Sequence, residues 1–98
     1  MTRLLADKVA IVTGAGQGVG EGIARALADA GAAVVIAARR AENGEPAAAA
    51  LRERGHEASF VRCDVTIEAD VAAAIEHTIG THGRLDIVVH NAVSPPGP

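Results

Sequence analysis

TGAGQGVG, residues 13–20, closes the apolar run KVAIVT (8–13) and leads into a stretch of helical periodicity. Four glycines in eight positions each cost about 0.5–1 kcal/mol of ordering against alanine, so the segment does something that side chains would obstruct. In a βαβ unit, the turn after the first strand aims the free N–H groups and positive dipole end of the next helix over the carboxyl edge of the sheet. An anion fits there, and glycine lets the backbone approach a phosphate with no Cβ in the way. The register excludes two phosphate-loop patterns. Counting from Gly14, G-x-G-x-x-G fails because its sixth position is Val19, and no Gly-Lys-Ser/Thr follows. T-G-x-x-x-G-x-G fits, through Thr13, Gly14, Gly18 and Gly20. Glycines alone read equally as a tight turn; a strand before them and a helix after favour phosphate.

The flanks supply that context. KVAIVT is short, continuous and rich in β-branched residues, as a strand buried on both faces is. GAAVVIAA (31–38) and IVVH (87–90) repeat the pattern, and ASFVRCDV (58–65) is a weaker version. Between them, Val19, Ile23, Leu27 and Ala30 share a helical face, residues 46–54 are alanine-rich with Gly55 behind, and Val71, Ile75 and Ile79 recur at fours. Thr66 is the expected N-cap of the last helix. The order βαβαβαβ predicts an α/β fold, a three-layer Rossmann-like half-fold whose four parallel strands lie in the order 3-2-1-4. One domain is expected over residues 1–93, with a proline-rich tail over 94–98.

A hydrophobic content of 49% with 1% aromatic residues leaves Val, Ile, Leu and Ala to fill the core. The net charge of −3 gives no basic field for nucleic acid or an anionic membrane. Cys63 is the single cysteine, which excludes an internal disulfide and fits a reducing compartment. No apolar run reaches the length of a membrane span, and the start does not read as a secretory signal. A cytoplasmic protein is expected.

Three blocks in order make the chain resemble the short-chain dehydrogenase/reductase family: Thr13-Gly14-x-x-x-Gly18-x-Gly20, then Cys63-Asp64-Val65-Thr66, then Gly83-Arg84-Leu85-Asp86 leading into Ile87-Val88-Val89-His90-Asn91-Ala92. The resemblance implies oxidoreduction of alcohols and carbonyls with a nicotinamide dinucleotide. By position it gives Gly14, Gln17, Gly18, Val19 and Gly20 to the pyrophosphate loop, Asp64 and Val65 to the adenine, and Asn91 and Ala92 to the nicotinamide end. It also implies a Tyr-x-x-x-Lys acid–base pair, for which residues 1–98 offer no tyrosine and only Lys8. His90 and Val93 replace the Asn and Gly of the family's last block.

The end of the second strand reports which dinucleotide is preferred. An acid there would bond a ribose 2′-hydroxyl, but the run is Ala37-Ala38-Arg39-Arg40. A guanidinium suits a phosphate and binds it bidentately, so Arg39, supported by Arg40, selects NADP over NAD. No other constellation carries chemistry: His56, His77 and His82 read as solvated, His90 as a strand-end histidine, and Cys63 as a small buried hydrophobe. Three readings follow: an NADP-binding module without turnover, an oxidoreductase active only within a longer or multi-chain protein, and an assembly protein with a vestigial glycine loop. The half-fold leaves one sheet face under-covered and the IVVH strand unpaired. A homo-oligomer is expected, with Val88, Val89 and the Val71–Ile75–Ile79 helix near the contact.

Overall fold

The computed structural model describes residues 4–14 and 18–91. Seven elements alternate: β1 (Val9–Thr13), α1 (Gly18–Asp29), β2 (Ala33–Ala38), α2 (Ala41–Glu53), β3 (Ala58–Arg62), α3 (Glu68–His82) and β4 (Ile87–His90). The strands form one parallel sheet in the order β3-β2-β1-β4. The sequence-based topology is therefore the observed one. Residues 92–98, which include the expected tail, lie outside the described residues.

The alternation of side chains along each strand divides the core in two. Val12, Val34, Ile36 and Ala58 face α1 and α2, packing with Ala24, Ala28, Ala47, Ala48 and Leu51. Ile11, Val35 and Ala37 face α3 through Cys63 and Ala74. With β1 and β2 buried throughout, the continuous apolar runs have the cause assigned to them: both faces of those strands are covered. Right-handed crossovers require this division, since the chain steps one way through β1, β2 and β3 and returns the other way to β4.

Both outer helices sit one position away from the expected face. In α1 the buried line is Gly20, Ala24 and Ala28, while Val19 stands 74% exposed and Ile23 and Leu27 pack only at the flank. In α3 the buried residues are Ala74 and Thr78, with Ile79 47% exposed. The cause is steric: small side chains let a helix lie close on the sheet, and the bulky ones wedge in beside the contact. Thr78 buries its hydroxyl without cost because it donates to the Ala74 carbonyl at 2.8 Å.

Three boundaries also differ. The second helix begins at Ala41, five residues before Pro46, because Asn43 and Gly44 already donate to the Arg40 carbonyl at 3.1 Å. Pro46 has no N–H for the carbonyl of Glu42, an exposed residue. The third strand stops at Arg62 rather than Val65, because Asp64 turns the chain by accepting the Thr66 N–H at 2.9 Å. That same bond removes Thr66 from the capping role; Ile67 is the N-cap of α3 and offers no side-chain bond.

β4 is fastened at both ends by side chains. At its start, the Asp86 carboxylate accepts the Val9 N–H at 2.9 Å and two Arg84 N–H bonds at 2.8 Å. At its end, the Thr13 hydroxyl accepts the Asn91 N–H at 3.0 Å and lies 3.4 Å from the Val89 carbonyl and from His90 Nδ1.

Candidate functional site

The three strand ends β1, β2 and β3, with the end of β4, bring the expected site residues to one edge of the sheet. Gly14 follows β1 with φ 68° and donates its N–H to the Ala37 carbonyl of β2 at 3.0 Å. Gln17 lies outside the described residues. Gly18 opens α1 at φ 64°, in the left-handed region, and a Cβ built there would meet nothing within 4 Å among the described residues. Among those residues nothing covers its backbone, at the end of α1 that carries the positive dipole. Val19 beside it is exposed.

Gly20 has a different reason to be glycine. A Cβ there would collide with the Gly14 carbonyl and lie 2.6 Å from Asn91 Nδ2. It is buried, and it lets α1 pack closely against the end of β1 and the Asn91 side chain. Thr13 and Asn91 close the same cluster from the sheet side. Ala92 lies outside the described residues.

At the end of β2, Arg39 and Arg40 are exposed. Arg40 faces Glu42 at 3.7 Å, an exposed pair worth little in solution. Arg39 makes no ion pair among the described residues and leaves its fork free; its charge reaches Asp64, just past the end of the neighbouring strand β3. Asp64 accepts the Thr66 hydroxyl at 2.6 Å and the Thr66 N–H at 2.9 Å on Oδ1. The hydroxyl bond first, then the backbone bond, hold its carboxyl below the ordinary range, with Arg39 and Arg62 adding a smaller pull. Asp64 is therefore an anion at neutral pH, and its Oδ2 makes no hydrogen bond among the described residues. Val65 is half-buried and packs against the α3-side core, so only part of it remains for a ligand.

One positioning residue escaped the sequence reading. Asp70 Oδ2 accepts the Asp64 N–H at 3.0 Å and an Arg62 N–H at 3.3 Å, fixing the turn that presents Asp64. Its place in the first turn of α3 marked it only as favourable to the helix dipole; the chain reversal at Asp64 that brings it back was not legible.

The remaining titratable groups lie elsewhere. His56 and His82 are corrected from solvated to engaged: His56 Nε2 is 2.8 Å from Asp29 Oδ1, and His82, with its side chain 7% exposed, places Nδ1 3.2 Å from Glu57. Both contacts tie helix ends to the amino edge of the sheet, away from the site. Burial first, then the Asp70 and Asp64 charges, push the Cys63 thiol up, which makes it an inert core residue. Among the described residues no group of His, Cys, Asp and Glu is arranged to hold a metal ion, and no helix is long and apolar enough to cross a membrane.

Known proteins share this arrangement. The sequence model of the short chain dehydrogenase family matches residues 8–96. The chain is 50% identical over 91 residues to L-fucose dehydrogenase of Oryctolagus cuniculus, a match covering 93% of this chain and 31% of that protein. It is 48% identical over 92 residues to cis-4-hydroxycyclohexanecarboxylate dehydrogenase of Sinomonas cyclohexanicum, covering 94% of this chain and 36% of that one. Among solved structures, a hydroxysteroid dehydrogenase from Escherichia coli superposes with a TM-score of 0.90 at 37% identity, over 94% of this chain and 39% of its own. The chain thus spans about a third of the length of these relatives.

Proposed function

The chain belongs to the short chain dehydrogenase family, and from that premise we propose that residues 1–93 serve as a dinucleotide-binding half-domain, with NADP as the preferred ligand. The observation that carries the reading is the meeting at one sheet edge of Gly18, whose backbone is uncovered among the described residues, of Arg39, whose guanidinium has no ion pair among them, and of an ionised Asp64. The open space over Gly18 and the helix end behind it suit a pyrophosphate. Arg39 suits the 2′-phosphate that distinguishes NADP from NAD, and no acid stands at Ala38 to bind a free 2′-hydroxyl. Asp64 Oδ2 is an acceptor for the exocyclic amine of an adenine. The bound nicotinamide would supply hydride transfer.

A carbonyl reduction also needs a proton donor placed beside the nicotinamide. Residues 1–98 hold no tyrosine, and Lys8 precedes β1 at the opposite edge of the sheet. We infer binding without turnover for the chain by itself. Oxidoreduction of an alcohol or carbonyl belongs to a longer or multi-chain form, a second reading favoured by the dehydrogenase names of relatives three times as long. Titration calorimetry tests the first reading. NADP binds more tightly than NAD, and Arg39→Asp reverses the order. Equal affinity for the two removes the NADP assignment, and no binding of either leaves the glycine loop vestigial.

A further inference from the structure

His90 ends β4 at the carboxyl edge of the sheet, in register with Thr13 of β1. Thr13 is followed directly by Gly14, so the imidazole stands beside the start of the glycine segment. Its Nδ1 lies 3.4 Å from the Thr13 hydroxyl, whose oxygen also accepts the Asn91 N–H at 3.0 Å and lies 3.4 Å from the Val89 carbonyl. A hydroxyl has one hydrogen and two lone pairs. The three contacts are met together when it donates to the Val89 carbonyl and accepts from Asn91 N–H and from His90 Nδ1–H. Nε2 is then the ring nitrogen left for solvent or a ligand. It makes no hydrogen bond among the described residues, and His90 is exposed.

This anchor survives a change of charge. Protonation adds a hydrogen at Nε2 and leaves Nδ1–H in place, so the ring becomes a cation beside Gly14 without releasing Thr13. The charged groups at the same edge are Arg39 after β2, Asp64 after β3, Glu68 and Asp70 in the first turn of α3, and Glu21 in the first turn of α1. None pairs with His90 among the described residues. Asp64 is turned to Thr66, and Asp70 to Arg62 and the Asp64 N–H. Among those residues no carboxylate of the chain neutralises the imidazolium, which leaves its charge for an anion brought by a ligand.

We propose that His90 is a titratable contact for the pyrophosphate of a bound dinucleotide: its protonated Nε2–H donates to a phosphate oxygen, so the chain takes up protons as it binds. The inference rests on the dinucleotide reading of the carboxyl edge and adds a dependence on pH to it. Arg39 keeps its charge at every pH near neutrality, and Asp64, held below the ordinary carboxylate range, keeps its own. Histidine is the side-chain type that changes charge between about pH 5 and 8. The sign follows: the ligand's anion favours the imidazolium, so binding tightens as pH falls. The contact is exposed, which sets the gain at about threefold in affinity.

Titration calorimetry with NAD tests the proposal, because the two phosphates of NAD hold a constant charge over this range, whereas a phosphate monoester such as that of NADP titrates within it. The expected result is an affinity about threefold higher at about pH 5.5 than at about pH 8. Repeating the titration near neutral pH in buffers of different ionisation enthalpy then shows net proton uptake, a reading that needs no variant. His90→Asn and His90→Gln each abolish both the pH dependence and the uptake, with the helical circular dichroism unchanged. His77→Asn, at an exposed histidine of α3, retains both. A pH dependence or proton uptake that survives the His90 substitutions overturns the proposal. Binding of NAD without proton uptake in the unaltered chain overturns it too and leaves the dinucleotide reading standing. No binding of NAD at either pH, at millimolar concentration, removes both.

Discussion

The two faces of the sheet are built from the same kinds of residue and reach different ends. Beneath α1 and α2, Val12, Val34 and Ile36 are fully buried, and two helices close over them with Ala24, Ala28, Ala48 and Leu51. On the other side α3 alone covers Ile11, Val35 and Ala37, and Val88 is left open. β4 is held by its parallel ladder to β1, by Val89 against the α1–α2 core, and by two polar fastenings, Asp86 to Val9 and Thr13 to Asn91. A strand with one open face and, among the described residues, one unpaired edge adds side-chain hydrogen bonds at its ends, whereas β2 is covered on both faces and paired on both edges.

The largest contrast is expected at Ile36, the largest side chain that is fully buried. Ile36→Ala opens a cavity under α1 and α2 and costs about 2–5 kcal/mol in urea unfolding; a cost comparable to that of a surface change would mean that this face is not the stable one. Gly20→Ala comes next. Its Cβ meets the backbone carbonyl of Gly14, which cannot swing aside, so α1 must shift at a cost of about 1–3 kcal/mol. Asp86→Asn probes the fastening of β4. The Arg84 guanidinium first, then the Val9 N–H, hold the Asp86 carboxyl below its ordinary range. A carboxyl with a depressed folded pKa adds stability above the unfolded value and loses it as pH falls through the folded one. The substitution therefore lowers the melting temperature at neutral pH and flattens its fall below about pH 4. An unchanged acid limb would show that Asp86 does not fasten the strand. The smallest effect belongs to Val88→Ala, within about 0.5 kcal/mol by the same urea measurement, because that side chain is already in water.

The same contrast explains what could be read from the sequence. β1, β2 and the strand order were legible because continuous β-branched runs separated by helical stretches leave few right-handed arrangements. The turn into α1 was legible because Gly18 takes a positive φ that asks for glycine. The helix faces depart from the expected ones because bulk does not mark burial at a close contact. Gly20–Ala24–Ala28 and Ala74–Thr78 are small, and smallness is what close approach to a sheet demands. Thr66 leaves its expected capping place, and Asp70 takes a bond beyond its place in the first turn of α3, for another reason. Each bonds to Asp64 across a chain reversal, and periodicity along a helix carries no trace of such a bond.

On the reading proposed above, the carboxyl edge, not either helical face, holds a dinucleotide. NADP titrated into the nitrogen-15-labelled chain is then expected to shift backbone amides chiefly at Gly14, Gly18, Arg39, Asp64 and Asn91, with the amino-edge residues Lys8, His56 and His82 unmoved. Shifts centred instead on the groove between α1 and α2, lined by Arg25, Ala50 and Arg54, or none at millimolar NADP, would contradict it.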